Sequence, residues 1–406
     1  MRKHRRLEIE DLDSLQAALQ SGSMAPGTVV QAVDLRSLED YGTVRLDGVL
    51  FAGCRFASLA QERVLREAGA LIFPRLEGLP YDPFRKDLYS PSELMQGYEH
   101  GGYSGALDFA IYAHAHRERS HPGGISLYEA LAQRIHDHAI DDALMEFLEE
   151  NRGRGAVGIM GGHGTRRSDP SFHKAARIAW ALGRKGYLVV TGGGPGVMEA
   201  ANLGAFFAPC EAAALDRAIE RMQAADTFSG GHPEGSPAYL QSIRDYIASA
   251  RDVVQHATHE PGTSLAVPTW FYGHEPTNPF ASAVAKYFDN SIREEGLLAI
   301  AAAGVIYAPG SAGTTQEIFQ DLTQNHYATY GTRSPMVFLG SERYRAEHAL
   351  IREFARARGM GEIYGDMLAL LDDPDEAVAF IELHPPRKAP SSLPLYELLN
   401  RDGGSR

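Results

Sequence analysis

The chain has 406 residues, enough for two to four domains at roughly 100–200 residues each, and its 44% apolar and 22% charged content excludes disordered, collagenous and fibrous classes. Aspartate and glutamate (52) outnumber lysine and arginine (39), a formal charge of −13, so a basic groove would have to be local and neither a nucleic acid nor a membrane is an expected partner. Cys54 and Cys210 lie far apart without ligand spacing, which argues against a disulfide framework or a structural zinc site. The basic start Met1-Arg-Lys-His-Arg-Arg runs into acidic residues with no apolar core of a leader, and no apolar run reaches the roughly 18 residues of a membrane span. A reducing cytoplasm is the expected location and a homo-oligomer the expected assembly.

From about Leu7 to Glu150 short apolar runs (Val49–Ala52, Ala70–Phe73) precede a turn-rich aromatic stretch and a helix over about Leu127 to Glu149. Leu127, Leu131, Ile135, Met145 and Leu148 recur near helical spacing there and mark one face for burial. A faint five-residue rhythm at Val44, Val49 and Cys54 has too few copies to build a stacked solenoid. Asn151-Arg-Gly-Arg-Gly reads as a linker. Beyond it Ala156–Met160 is a strand, Ser168-Asp-Pro opens a helix with Ala175, Ala176, Ile178, Ala179 and Leu182 on its apolar face, and Tyr187–Thr191 is a buried strand. Ser264–Val267, Gly304–Ala308 and Pro335–Leu339 are further strands, and Ser229–Pro237 an exposed loop. The alternation predicts a parallel sheet with helices on both faces and ligands at the carboxyl ends of its strands.

Three strand ends carry glycines: Met160-Gly-Gly-His-Gly-Thr-Arg, Thr191-Gly-Gly-Gly-Pro-Gly-Val-Met-Glu-Ala-Ala-Asn, and Ala308-Pro-Gly-Ser-Ala-Gly-Thr-Thr-Gln-Glu. A strand, glycines and then a helix present free backbone N–H groups and a positive dipole end, an arrangement that suits a phosphate. One such turn is weak evidence, since tight turns need glycine anyway; three together point to a nucleotide-like ligand. Gly153-Arg-Gly-Ala-Val-Gly158 precedes its strand and no P-loop occurs, so dinucleotide and P-loop readings lose ground.

The second and third turns resemble the paired signatures of the LOG (LONELY GUY) family, with the second turn one residue tighter and Ser311 in place of a family glycine. The N-terminal half is reminiscent of the larger bacterial nucleotide 5′-monophosphate nucleosidases. The resemblance implies a Rossmann-like parallel sheet with helices on both faces, preceded by a smaller mixed α/β N-terminal domain. The expected domains are 1–150 (accessory, open to regulation by nucleotides such as alarmones), 151–345 (catalytic) and 346–406 (a helical extension). The implied activity is hydrolysis of the N-glycosidic bond of a nucleoside 5′-monophosphate, AMP-like, to free base and ribose 5-phosphate, without cofactor or metal. Glu317 would support attack of water at the anomeric carbon, and Arg293 is the nearest match to the family's arginine. Gly310, Ser311, Gly313, Thr314 and Thr315 match the phosphate loop; Gly193, Gly194, Gly196, Met198 and Glu199 match the turn facing the nucleotide, and Gly162 and Thr165 are added from the first turn.

Plainer readings stand beside these. Thr314-x-x-Glu317 has the form of a capping box, Asp289 and Arg293 are spaced for a helix-surface ion pair, and Glu199 could simply complement a helix dipole. Arg166-Arg167 could meet a phosphate or merely precede a helix. His136-Asp137-His138, with His114, His116, His121, Asp141 and Asp142, carries the His-Asp pair of metal-dependent phosphohydrolases, though no spacing makes ligands converge. A non-catalytic nucleotide- or cofactor-binding carrier or sensor is the rival from another class.

Overall fold

The computed structural model describes residues 8–22, 24–38, 44–229, 231–233, 236–272, 275–357 and 365–389; the basic start, parts of the Ser229–Pro237 loop and the polar tail lie outside them. Two compact units emerge, Met1–Asp87 with Arg117–Glu146, and Leu88–His116 with Phe147–Arg406. The chain is therefore interleaved where a single boundary near residue 150 was expected.

The first unit holds four parallel strands, β1 (Glu8–Ile9), β2 (Val29–Gln31), β3 (Leu50–Ala52) and β4 (Leu71–Phe73), with helices α1 (Leu12–Gln20) and α2 (Leu59–Glu67) between strands. Glu8 pairs with Val29, Val29 with Leu50 and Leu50 with Leu71, a constant step of 21 residues. Gly27, Gly48 and Gly69 recur at the same step, each with positive φ, a backbone state that glycine adopts without strain. Val30 and Phe51 stack inward with Val33, Leu35, Val49 and Cys54 in one buried core. These four strands thus form a short repeat of 21 residues, and the five-residue rhythm at Val44, Val49 and Cys54 is not its period.

Helices α3 (Pro91–Leu94), α4 (Tyr98–Gly101), α5 (Leu107–Arg119) and α6 (Leu127–Glu150) follow. On α6 the face marked for burial is the exposed one: Leu127 is 77%, Met145 61% and Leu131 44% exposed, while Ala132, His136, Ala139, Ile140 and Ala143 are buried. Small alanines let that side pack closely, and the larger side chains were left outside.

The second unit is built on a sheet of β5 (Ala156–Met160), β6 (Leu188–Thr191), β7 (Ser264–Ala266), β8 (Ala283–Val284), β9 (Gly304–Tyr307), β11 (Met336–Leu339) and β12 (Leu368–Leu371), in the order β12-β11-β9-β5-β6-β7-β8 with every pair parallel; β10 (Thr332–Arg333) pairs instead with β13 (Arg387–Lys388). Helices α7 (Pro170–Arg184), α8 (Val197–Phe206), α9 (Ala212–Met222), α10 (Pro237–Gln255), α11 (Asn290–Ile300), α12 (Ala312–Tyr327), α13 (Ser341–Ala357) and α14 (Pro374–Leu383) connect the strands. The expected apolar face of α7 is fully buried. Asp169 caps that helix by accepting from Ser171 N, with Pro170 at its first position. The stretch beyond residue 346 is more than a helical extension, since Leu368–Leu371 supplies the edge strand β12. From β5 the chain first builds outward to β8 and then returns to β9 on the other side of β5. The switch point of this Rossmann-like sheet therefore lies between β5 and β9, where open parallel sheets hold their ligands.

Candidate functional site at the glycine turns

The three glycine turns meet at that switch point. Gly162 N donates to Pro309 O at 3.0 Å and Val197 N to Gly162 O at 3.1 Å, so the loops after β5, β6 and β9 are tied edge to edge. Asn278 reinforces the middle turn, its Nδ2 donating to Gly193 O at 3.0 Å and to Asn202 Oδ1 at 2.9 Å. At Gly196, with φ +68°, a Cβ would lie 2.4 Å from Gly162 O, so only glycine closes this turn.

A cavity of about 530 Å³ opens above the turns, lined by Gly161–His163, Gly192–Gly194, Met198, Pro268, Thr269, Tyr272, Glu275, Thr277, Arg293, Glu294, Ser311–Thr314, Gln316 and Glu317. Gly162, Gly193, Gly194, Met198, Arg293, Ser311, Gly313, Thr314 and Glu317 are thus brought together as the sequence suggests. Five expected residues serve the walls instead. Gly196 and Gly310 lie in the turns, a Cβ on Gly310 meeting Thr314 Oγ1 at 2.1 Å. The Thr315 hydroxyl donates back to Ser311 O at 3.2 Å, and Thr165 packs beside Gly162. The Glu199 carboxylate points away into a closed pair with Arg167.

That pair uses the second of the two adjacent arginines. Arg167 is fully buried and donates from Nε and Nη2 to the two oxygens of Glu199 at 2.9 and 2.7 Å. It donates further to Ser249 Oγ, Ala225 O and Tyr246 O, while the Tyr246 hydroxyl donates to Glu199 at 2.5 Å. It binds protein, not a ligand. Arg166 is exposed and reaches Asp226 at 3.5 Å.

Arg293 is not on the helix surface. Asp289 spends its carboxylate capping α11 through Ser291 N at 2.9 Å, and Arg293 turns inward, donating from Nε to Val267 O at 2.7 Å with Nη1 3.6 Å from Glu317 Oε1. Glu317 does not close a capping box either: the cap of α12 is Ser311, which puts Glu317 in the second turn of the helix. Burial pushes its carboxyl up to about 7, with Arg293 pulling it down and Glu294 pushing it further up. Ser311 has φ −105°, so the position demands no glycine and the departure from the family pattern is without backbone strain.

The sequence reading missed other residues that line the cavity. His163 Nδ1 lies 3.1 Å from Glu275 Oε1, and Glu294 accepts from Gln316 Nε2 at 2.6 Å. Lys286 is buried beside Asp108 at 2.7 Å and donates to the hydroxyl of the lining residue Thr277 at 2.9 Å. Trp270 Nε1 donates to the same aspartate at 2.8 Å. Away from this site, His136 is buried with Nδ1 3.1 Å from Asp137, burial holding its imidazole below the usual range. Among the described residues no three or more His, Cys, Asp or Glu side chains gather as a metal would require, and no helix is long and apolar enough to cross a membrane.

No curated protein matches the chain. Among solved structures, it is similar to the molybdenum cofactor carrier protein of Chlamydomonas reinhardtii at 14% identity, over 57% of this chain and 97% of that one, with a TM-score of 0.33. The molybdenum cofactor binding protein of the phototrophic bacterium Rippkaea orientalis matches at 14%, over 57% and 98%, with a TM-score of 0.31. The structural-genomics target TM1055 matches at 20%, over 56% and 98%, with a TM-score of 0.31. Residues 154–209, which carry the first two glycine turns and the helices after them, match the model of the SLOG cluster4 family, and this match supports a LOG/SLOG-type fold for the Rossmann-like sheet that contains them.

Proposed function

We propose that the cavity hydrolyses the N-glycosidic bond of a nucleoside 5′-monophosphate, AMP-like, releasing free base and ribose 5-phosphate. The observation that carries this reading is Glu317: a buried carboxylate with an elevated pKa, beside Arg293, one helical turn past a glycine loop whose N–H groups suit a phosphate. The loop from Ser311 to Thr314 anchors the phosphate and positions the ribose. As the bond to the base breaks, positive charge grows on the ribose; the Glu317 carboxylate stabilises it and takes the proton of the attacking water. Arg293, 3.6 Å away, favours the charged form of that carboxylate against the opposing effect of burial.

Glu317→Gln tests the reading, because it keeps the side chain's size and removes its charge. Base release from AMP should fall by on the order of 10²–10⁴, with AMP binding and melting temperature near wild type. Turnover close to wild type in the variant would remove Glu317 from the chemistry, and wild-type protein that binds AMP without releasing adenine would favour the carrier reading.

A further inference from the structure

We propose that His163, oriented by Glu275, is the acid that protonates the departing base, a role that rests on the hydrolase reading above. The hydrolysis needs two proton-handling groups. Water and base occupy opposite sides of the anomeric carbon, and a carboxylate that accepts the water's proton cannot in the same step donate one to the base across the ring. A base leaving as an anion costs far more than one leaving protonated, so a second group is required, and it should line the cavity with a donor free to face the ligand.

His163 meets both conditions. It stands in the first glycine turn and lines the same cavity as Glu317. Its side chain is 55% exposed, against 32% for Glu275, so the imidazole is the member of the pair that a ligand can reach. Nδ1 is engaged by Glu275 at 3.1 Å, which fixes the ring, while Nε2 has no protein partner among the described residues. Glu275 is itself firmly mounted. Its neighbour Thr277 is held by Lys286 and Asp108 at 2.9 and 3.2 Å, and Asn278 is bonded to the middle turn. Burial raises the Glu275 carboxyl, opposed by the positive charges of His163, Lys286 and Arg293.

A phosphate contact is the other use for an exposed imidazole, and Glu275 argues against it. A carboxylate against the imidazole would repel a phosphate dianion, and the pair leans over Gly194 on the turn after β6, where a Cβ would meet Glu275 Oε2 at 3.0 Å. In the step, the bonding pair of the glycosidic bond passes to the base nitrogen and the Nε2 proton goes to the base. The water oxygen bonds to the anomeric carbon and its proton goes to Glu317, from which solvent returns it to His163. The balance is nucleotide plus water to base plus ribose 5-phosphate.

The test compares two leaving groups on the full-length protein: AMP, whose base needs a proton, and 4-nitrophenyl β-ribofuranoside 5-phosphate, whose phenolate departs without one. His163→Asn should lower adenine release by on the order of 10²–10⁴ and leave 4-nitrophenol release near wild type, the second substrate also reporting that the variant is folded. Glu275→Gln, acting through the imidazole, should show the same split to a smaller degree. Equal loss on both substrates, or no loss on AMP, overturns the role; wild-type protein that cleaves neither substrate overturns it together with the hydrolase reading.

Discussion

Two arginine–glutamate pairs flank the glycine turns, and they differ in how many of their hydrogen-bonding groups are already used. In Arg167–Glu199 both residues are almost wholly buried, both oxygens are bonded by the guanidinium, Tyr246 donates to one of them, and the arginine stacks 3.5 Å over the Tyr246 ring. In Arg293–Glu317 the contact is 3.6 Å, the cation is committed to Val267 O, and the carboxylate faces a cavity. A charge whose partners are complete has little left to offer a ligand. A charge held short of its full set of partners keeps an elevated pKa and can respond to a change in charge beside it. Both glutamates follow a glycine turn in the sequence, so it is this saturation, and not the motif, that separates a strut from a reactive group.

The sharpest way to break the comparison is to neutralise each glutamate in turn. Glu317→Gln should cost turnover, on the order of 10²–10⁴ in adenine release, with little change in melting temperature. Glu199→Gln should do the reverse: an uncompensated buried Arg167 costs about 3–5 kcal/mol, read as a lowered melting temperature, while the molecules that remain folded turn over normally. A Glu199 variant that is stable but inactive would reverse the assignment.

The next effect is in pH. If Glu317 acts as the carboxylate, kcat/KM for AMP should climb as pH rises through about 7. Stability has the opposite sign. The folded carboxyl keeps its proton to a higher pH than the unfolded one, so its contribution to stability declines as pH rises from the ordinary value of 4.5 through about 7. Melting curves of wild type and Glu317→Gln over that window should differ in slope. Smaller still, Gly313→Val places a side chain in space that is open in the protein alone, and should weaken AMP binding more than adenosine binding, measured by calorimetry. Ser311→Gly should change least, a few tenths of a kcal/mol in stability with turnover intact, because Ser311 makes no capping bond and needs no positive φ.

The large sheet was legible because its strands are short apolar runs bounded by glycine, and parallel strands buried on both faces read that way. The glycine turns were legible for the same reason, and with them Arg293 and Glu317. His163, Glu275 and the Asp108–Lys286 pair were not. Asp108 and Lys286 are 178 residues apart, and no periodicity links residues that meet only through tertiary packing. Glu199 was misread because an acid after a glycine turn has the same local pattern whether its side chain turns toward a ligand or toward Arg167. The buried face of α6 was hidden by alanines beside larger apolar residues. The repeat of the first unit escaped because its inward positions hold Val30, Phe51 and Ile72, alike in character but not in identity, although Gly27, Gly48 and Gly69 recorded the period.

That period limits how this region can change in length. Each strand takes its register from the one before, and a slip of one residue in any strand would turn its inward side chains to the opposite face. Gain or loss of a whole 21-residue copy leaves the remaining register undisturbed, since a stacked copy touches only its neighbours. The region can therefore grow or shrink in steps of one strand spacing, about 4.8 Å, where shorter insertions within a strand would misalign the stack.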